Sequence, residues 1–128
     1  MTDVHRGGCL CGAVRYRVAG PLREVIVCHC SVCRRTHGAP AAFTACPREQ
    51  LELESAHDLC WHEHDGARRG FCAVCGSRLF WDRGRATISI TAGSVDEPTG
   101  LTMSHHIYTA SAGDWYDVPR GRPAATAG

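Results

Sequence analysis

Seven of the nine cysteines fall into three short groups: Cys9-Leu10-Cys11, Cys28-His29-Cys30-Ser31-Val32-Cys33 and Cys72-Ala73-Val74-Cys75. Thiolates this close in sequence converge on one soft cation, because tight knuckle turns aim their sulfurs the same way. Zinc is the usual occupant, about 2.3 Å from each sulfur in a tetrahedral site. The seven divide into four and three. Cys9, Cys11, Cys72 and Cys75 form a four-sulfur set that closes a structural site, and each half is followed by a glycine, Gly12 or Gly76. Cys28, Cys30 and Cys33 leave one position free for water or substrate. Three thiolates over-neutralise Zn²⁺, so such a site is a weak Lewis acid but exchanges a fourth thiolate readily. Coordination presents an incoming thiol as the anion, which is the nucleophilic species. That chemistry suits the addition of a small thiol to an aldehyde, or carbon–sulfur cleavage in reverse.

Other readings of the same residues stay open. The four-sulfur set also fits two redox pairs or unrelated buried thiols. The three-sulfur set also fits a closed site, with a fourth ligand from His29, His37, Cys46, Cys60, His105 or His106, or an unmetallated thiol cluster. His29, between two ligands, is expected to point away from the metal. Ser31, Thr36 and His37 are near enough in sequence to relay a proton or position a ligand. Trp61, Trp81 and Trp115 read as core. The Arg34-Arg35 and Arg68-Arg69 pairs read as solvated charge, able at a pocket rim to receive a carboxylate-bearing thiol such as glutathione.

The elements that must position these residues read as short strands. Val14, Tyr16 and Val18 alternate with Arg15 and Arg17, and Thr87 to Thr91 alternates equally cleanly, the period of half-buried strands. Glu24 to Cys28 runs as a strand into the central cluster, and Arg34 to Gly38 is a turn or single helical turn. Ala39 to Cys46, Leu51 to Leu53, Leu59 to His62, Leu79 to Trp81 and His106 to Tyr108 complete the strands. A short helical turn at Pro47 to Gln50 and a turn at Asp65-Gly66 separate some of them. Trp115 and Tyr116 fold back onto the core. Turn signals every 8 to 12 residues or so, with no long helix and no repeat, make the chain all-β. Residues 1–119 read as one domain, and Pro/Gly/Ala-rich 120–128 as a disordered tail.

Composition narrows the function. A chain of 128 residues has a modest core and gains from a metal staple. Without a secretory signal or membrane span, the expected compartment is the reducing cytoplasm, where clustered cysteines bind metal or react rather than form disulfides. All 14 basic residues are arginine, so side-chain Schiff-base catalysis by lysine is excluded. A net charge of +1 offers no concentrated basic face for nucleic acid and no anchor for a membrane.

The motifs Gly8-Cys9-Leu10-Cys11-Gly12, Cys28-His29-Cys30-Ser31-Val32-Cys33-Arg34 and Phe71-Cys72-Ala73-Val74-Cys75-Gly76-Ser77, with His106-Ile107 and Trp115, resemble the glutathione-dependent formaldehyde-activating enzyme (Gfa) and centromere protein V-like family. The resemblance implies an Mss4-like β-tent of short antiparallel strands, stapled by zinc. It implies two zinc ions per chain: a structural one on Cys9, Cys11, Cys72 and Cys75, and a catalytic one on Cys28, Cys30 and Cys33. The implied activity is a carbon–sulfur lyase reaction in which glutathione, as co-substrate, adds to formaldehyde to give S-hydroxymethylglutathione. The alternatives are a non-enzymatic zinc module for a protein or chromatin partner, and a thiol redox sensor working through Cys28 and Cys33.

Overall fold

A computed structural model describes residues 3–119. The expected tail at 120–128 lies outside the described residues. The described residues fold as ten short strands in two sheets. β1 (Val4–Gly8), β2 (Arg15–Ala19) and β5 (Leu51–Ser55) form an antiparallel three-stranded sheet with β2 in the centre. The larger sheet runs β10-β3-β4-β9-β8-β7-β6. Its strands are β3 (Val25–Cys28), β4 (Ala41–Pro47), β6 (Leu59–His64), β7 (Ala67–Cys72), β8 (Arg78–Asp82), β9 (Thr87–Thr91) and β10 (Met103–Ile107). All its pairings are antiparallel except β10 with β3, which is parallel. The expectation of an all-β fold of short antiparallel strands holds apart from that one edge. Among the described residues no helix is long and apolar enough to cross a membrane.

The alternation that marked β2 buries Tyr16 and Val18 completely, and these meet Leu79, Phe80, Ile88 and Ile90 from the larger sheet. Tyr16 makes an edge-to-face contact with Phe80 and its hydroxyl bonds the Ser94 hydroxyl at 2.8 Å, so the largest core ring keeps its polar atom satisfied. Period-2 strands expose a second face as well. On β4, Ala41 and Phe43 face away from this core and form a separate apolar cluster with Cys28 and Cys33, against which Trp81 and Ile107 pack. That second face carries the candidate site.

Two strands were not evident from the sequence. β1 has little apolar alternation and exists through its ladder with β2. β7 contains the Arg68-Arg69 pair, whose side chains go to opposite faces. Arg68 lies over the Trp61 ring, 3.9 Å from its centroid, and bonds Asp82, whereas Arg69 is only 7% exposed. The reading of Arg69 as solvated charge is therefore corrected. Trp115 is corrected too: at 61% exposure it is not core.

Candidate metal centre and cavity

The two cysteine knuckles are built alike. Gly12 donates to the Cys9 carbonyl at 3.2 Å and Gly76 to the Cys72 carbonyl at 2.8 Å. Both glycines have left-handed backbone, φ +82° and +79°, a conformation that would strain any side chain with a Cβ. These turns bring the sulfurs of Cys9, Cys11, Cys72 and Cys75 within 4.8 Å of one another. The Val14 amide donates to the Cys9 sulfur at 3.2 Å. Ser77 ties the knuckles together, accepting from the Leu10 amide at 3.0 Å and lying 3.2 Å from the Cys75 sulfur. Its hydroxyl stabilises the Cys75 thiolate and holds that thiol down at about 5. Four convergent sulfurs with amide and hydroxyl donors around them are fit to hold a metal ion.

The second set forms where β3 runs into a short helix, α1 (Ser31–His37), closed at Gly38. Cys30 is its N-cap and accepts from the Cys33 amide at 3.2 Å. This places Cys33 one turn along, beneath Cys30, and the sulfurs of Cys28, Cys30 and Cys33 all lie within 4.8 Å of one another. Hydrogen bonding from Cys28 favours the Cys33 thiolate, with help from Cys30 and Arg69, and holds it at about 6 against the effect of burial. Sharing that proton and burial push Cys28 upward.

None of the candidate fourth ligands joins this group among the described residues. His29 is 1% exposed and both its ring nitrogens are engaged, Nδ1 with the Tyr116 hydroxyl at 2.7 Å and Nε2 with His106 Nδ1 at 2.8 Å. It points away from the sulfurs, and His106 and Tyr116 are occupied with it. Cys46 belongs to the main core and Cys60 is exposed. His37 packs edge-on against Phe43, and burial with the charges of Arg69 and Arg78 lowers it to about 4, so it is neutral. The Thr36 hydroxyl is spent on the Val32 carbonyl at 2.8 Å.

The three sulfurs open instead into a cavity of about 560 Å³ on the outer face of the larger sheet. Phe43, Trp81 and Ile107 give it apolar walls, and Arg23, Arg69, Arg83 and Arg85 line it with positive charge. Asp65 is the one carboxylate among its described lining residues. His105 and Tyr108 stand at one side; Tyr108 has left-handed backbone, φ 54°, directly after β10. The arrangement suits a small anionic molecule reaching a three-sulfur centre.

The family model described as "Glutathione-dependent formaldehyde-activating enzyme" matches residues 4–111. The chain belongs to this family. Within the Gfa family it is similar to a Halomonas elongata protein described as "Putative glutathione-dependent formaldehyde-activating enzyme", with 29% identity over 124 residues, 88% of this chain and 79% of that protein. Its fold is similar to the crystal structure of a Rhodobacter sphaeroides protein, with a TM-score of 0.60 at 23% identity, covering 77% of this chain and 99% of the other. The matched Gfa segment contains both cysteine sets and every cavity residue named above. The sequence marks Arg69 only as solvated or pocket-rim charge; its contact with the Cys33 sulfur and the His29–Tyr116 contact are decided by the tertiary structure. The basic pair at 68–69 was the available signal for the first, and no local signal existed for the second.

Proposed function

We propose that this chain is a cytoplasmic two-zinc enzyme of the carbon–sulfur lyase type, a single domain that interconverts glutathione plus formaldehyde and S-hydroxymethylglutathione. The observation that carries the reading is the difference between its two cysteine sets: four sulfurs clasped between knuckles, and three at a cavity large enough for a small peptide-like thiol. Soft sulfur donors fit zinc in both places. Cys9, Cys11, Cys72 and Cys75 would hold a structural ion, and Cys28, Cys30 and Cys33 the catalytic one. Bound at the three cysteines, zinc supplies a position at which a thiol is held as its thiolate.

The remaining work falls to the chain. Arg23, Arg83 and Arg85 line the cavity and would receive the carboxylates of the thiol, since guanidinium and carboxylate pair in matching planar geometry. Phe43, Trp81 and Ile107 offer apolar walls against which the reacting carbon would sit. In the forward direction a sulfur lone pair forms the carbon–sulfur bond while the carbonyl π pair moves to oxygen, which takes a proton from water. In reverse the hydroxyl gives its proton back to water, its oxygen re-forms the carbonyl π bond, and the carbon–sulfur bond breaks with its pair returning to sulfur. The names of the family and of the Halomonas relative support this choice of thiol and aldehyde.

Native mass spectrometry tests the reading. Two zinc ions per chain are expected, with glutathione adding to the protein and Cys30→Ser retaining one zinc but neither glutathione binding nor turnover. Turnover that survives Cys30→Ser would overturn it.

A further inference from the structure

Arg69 is the one arginine of the cavity that is buried, at 7% exposure. β7 delivers it from beneath: Ala67 and Arg69 share the cavity face of that strand, while Arg68 and Gly70 face the other way, Gly70 against Trp61 and Phe80. Its Nη2 donates to the Cys33 sulfur at 3.7 Å. Its Nη1 is buried and has no hydrogen-bond partner among the described residues. An unpaired guanidinium nitrogen in the interior is costly, and this one borders a cavity with room for a partner.

The charge count of the site says which kind. Three thiolates on a divalent ion leave one surplus negative charge, and that surplus repels a fourth anion. The single positive charge of Arg69, in contact with the cluster, cancels it. Asp65, the one described carboxylate of the cavity, is exposed at the β6–β7 turn and does not offset this. We infer that Arg69 is the group that makes the three-cysteine centre accept an anion: its charge neutralises the cluster, and its unpaired Nη1 donates to the incoming thiolate. The inference rests on the reading of Cys28, Cys30 and Cys33 as an exchangeable metal site. Because it concerns ligand preference, it is measurable without turnover.

The test uses the full chain with Co²⁺ in place of zinc, whose absorption bands report the number of bound thiolates. Glutathione is titrated into the wild-type protein, Arg69→Gln and Arg69→Lys, with neutral imidazole as a control ligand. Loss of a charge-assisted contact is expected to weaken glutathione binding to Arg69→Gln by about 10- to 100-fold, with imidazole binding unchanged and metal content equal. Arg69→Lys is expected to recover part of the loss, because it keeps the charge without the fork. Equal glutathione affinity in Arg69→Gln and wild type overturns the inference, as does a parallel loss of both ligands or of metal. Failure of the wild-type protein itself to bind glutathione overturns the functional reading beneath it.

Discussion

On the proposed reading the two cysteine sets differ in mechanical role, and single substitutions would separate them. Cys11 and Cys72 are 61 residues apart in sequence, and their sulfurs lie 3.8 Å from each other. A metal ion held there closes that long loop and fastens the turn after β1 to the turn between β7 and β8. Treated as a cross-link, closing a loop of this length removes chain entropy worth about 4 kcal/mol at 25 °C. That is a large share of the roughly 5–15 kcal/mol by which a domain is stable. At roughly 4 °C per kcal/mol for a chain of this size, Cys72→Ser should lower Tm by about 15 °C. Cys72 is fully buried, so the hydroxyl that replaces its sulfur adds a buried polar group to the loss. Cys30, by contrast, sits at the N-cap of α1, within a segment already fixed by β3 and by the His29 amide bond to the Ile107 carbonyl at 3.0 Å. Cys30→Ser should shift Tm by less than about 4 °C, with a hydroxyl replacing the sulfur as cap. Differential scanning calorimetry on both variants, with metal content measured alongside, checks the contrast. A Cys72→Ser protein that melts within a few degrees of wild type would refute the stapling argument.

Four further outcomes follow. Asp82, 3% exposed, is bonded by Arg48 at 2.5 and 3.0 Å, by Arg68 at 3.1 Å and by the Gly84 amide at 2.8 Å, so Asp82→Asn should cost about 2–3 kcal/mol in urea unfolding. Asp96→Ala should cost under about 1 kcal/mol in the same assay, because the Arg15–Asp96 pair is 35% and 51% exposed and screened by water. The bonds from Arg48, Gly84 and Arg68 hold the Asp82 carboxyl far below the ordinary carboxylate range, so its stabilisation is complete above about pH 4 and is lost as pH falls through the folded-state value. Acid titration of the wild type should therefore show a loss of stability below about pH 4 that Asp82→Asn lacks. Tyr116→Phe removes the hydroxyl on His29 Nδ1 and should cost about 1–2 kcal/mol of stability with metal stoichiometry unchanged, read by calorimetry and mass spectrometry.

Much of the site was legible in the sequence because its determinants are local. A two- or three-residue spacing aims two cysteines together whatever the rest of the chain does, and the knuckle glycines declare the turns. The alternation of Val14, Tyr16 and Val18, and of Ile88 and Ile90, likewise states which face of a strand is buried. Other features are decided by chain segments far apart. The parallel pairing of β10 with β3 depends on how the chain returns across the sheet, and β1 becomes a strand only because β2 lies beside it. His29 is turned from the sulfurs by partners 77 and 87 residues away. Arg68 and Arg69 are identical and adjacent in sequence. On a strand they must point to opposite faces, but which one meets solvent and which meets the Cys33 sulfur depends on the register of β7 between β6 and β8. The cysteine spacing therefore determined the metal-binding potential, whereas tertiary register decided the charge that surrounds it, because spacing acts through a few bonds and register through the packing of whole strands.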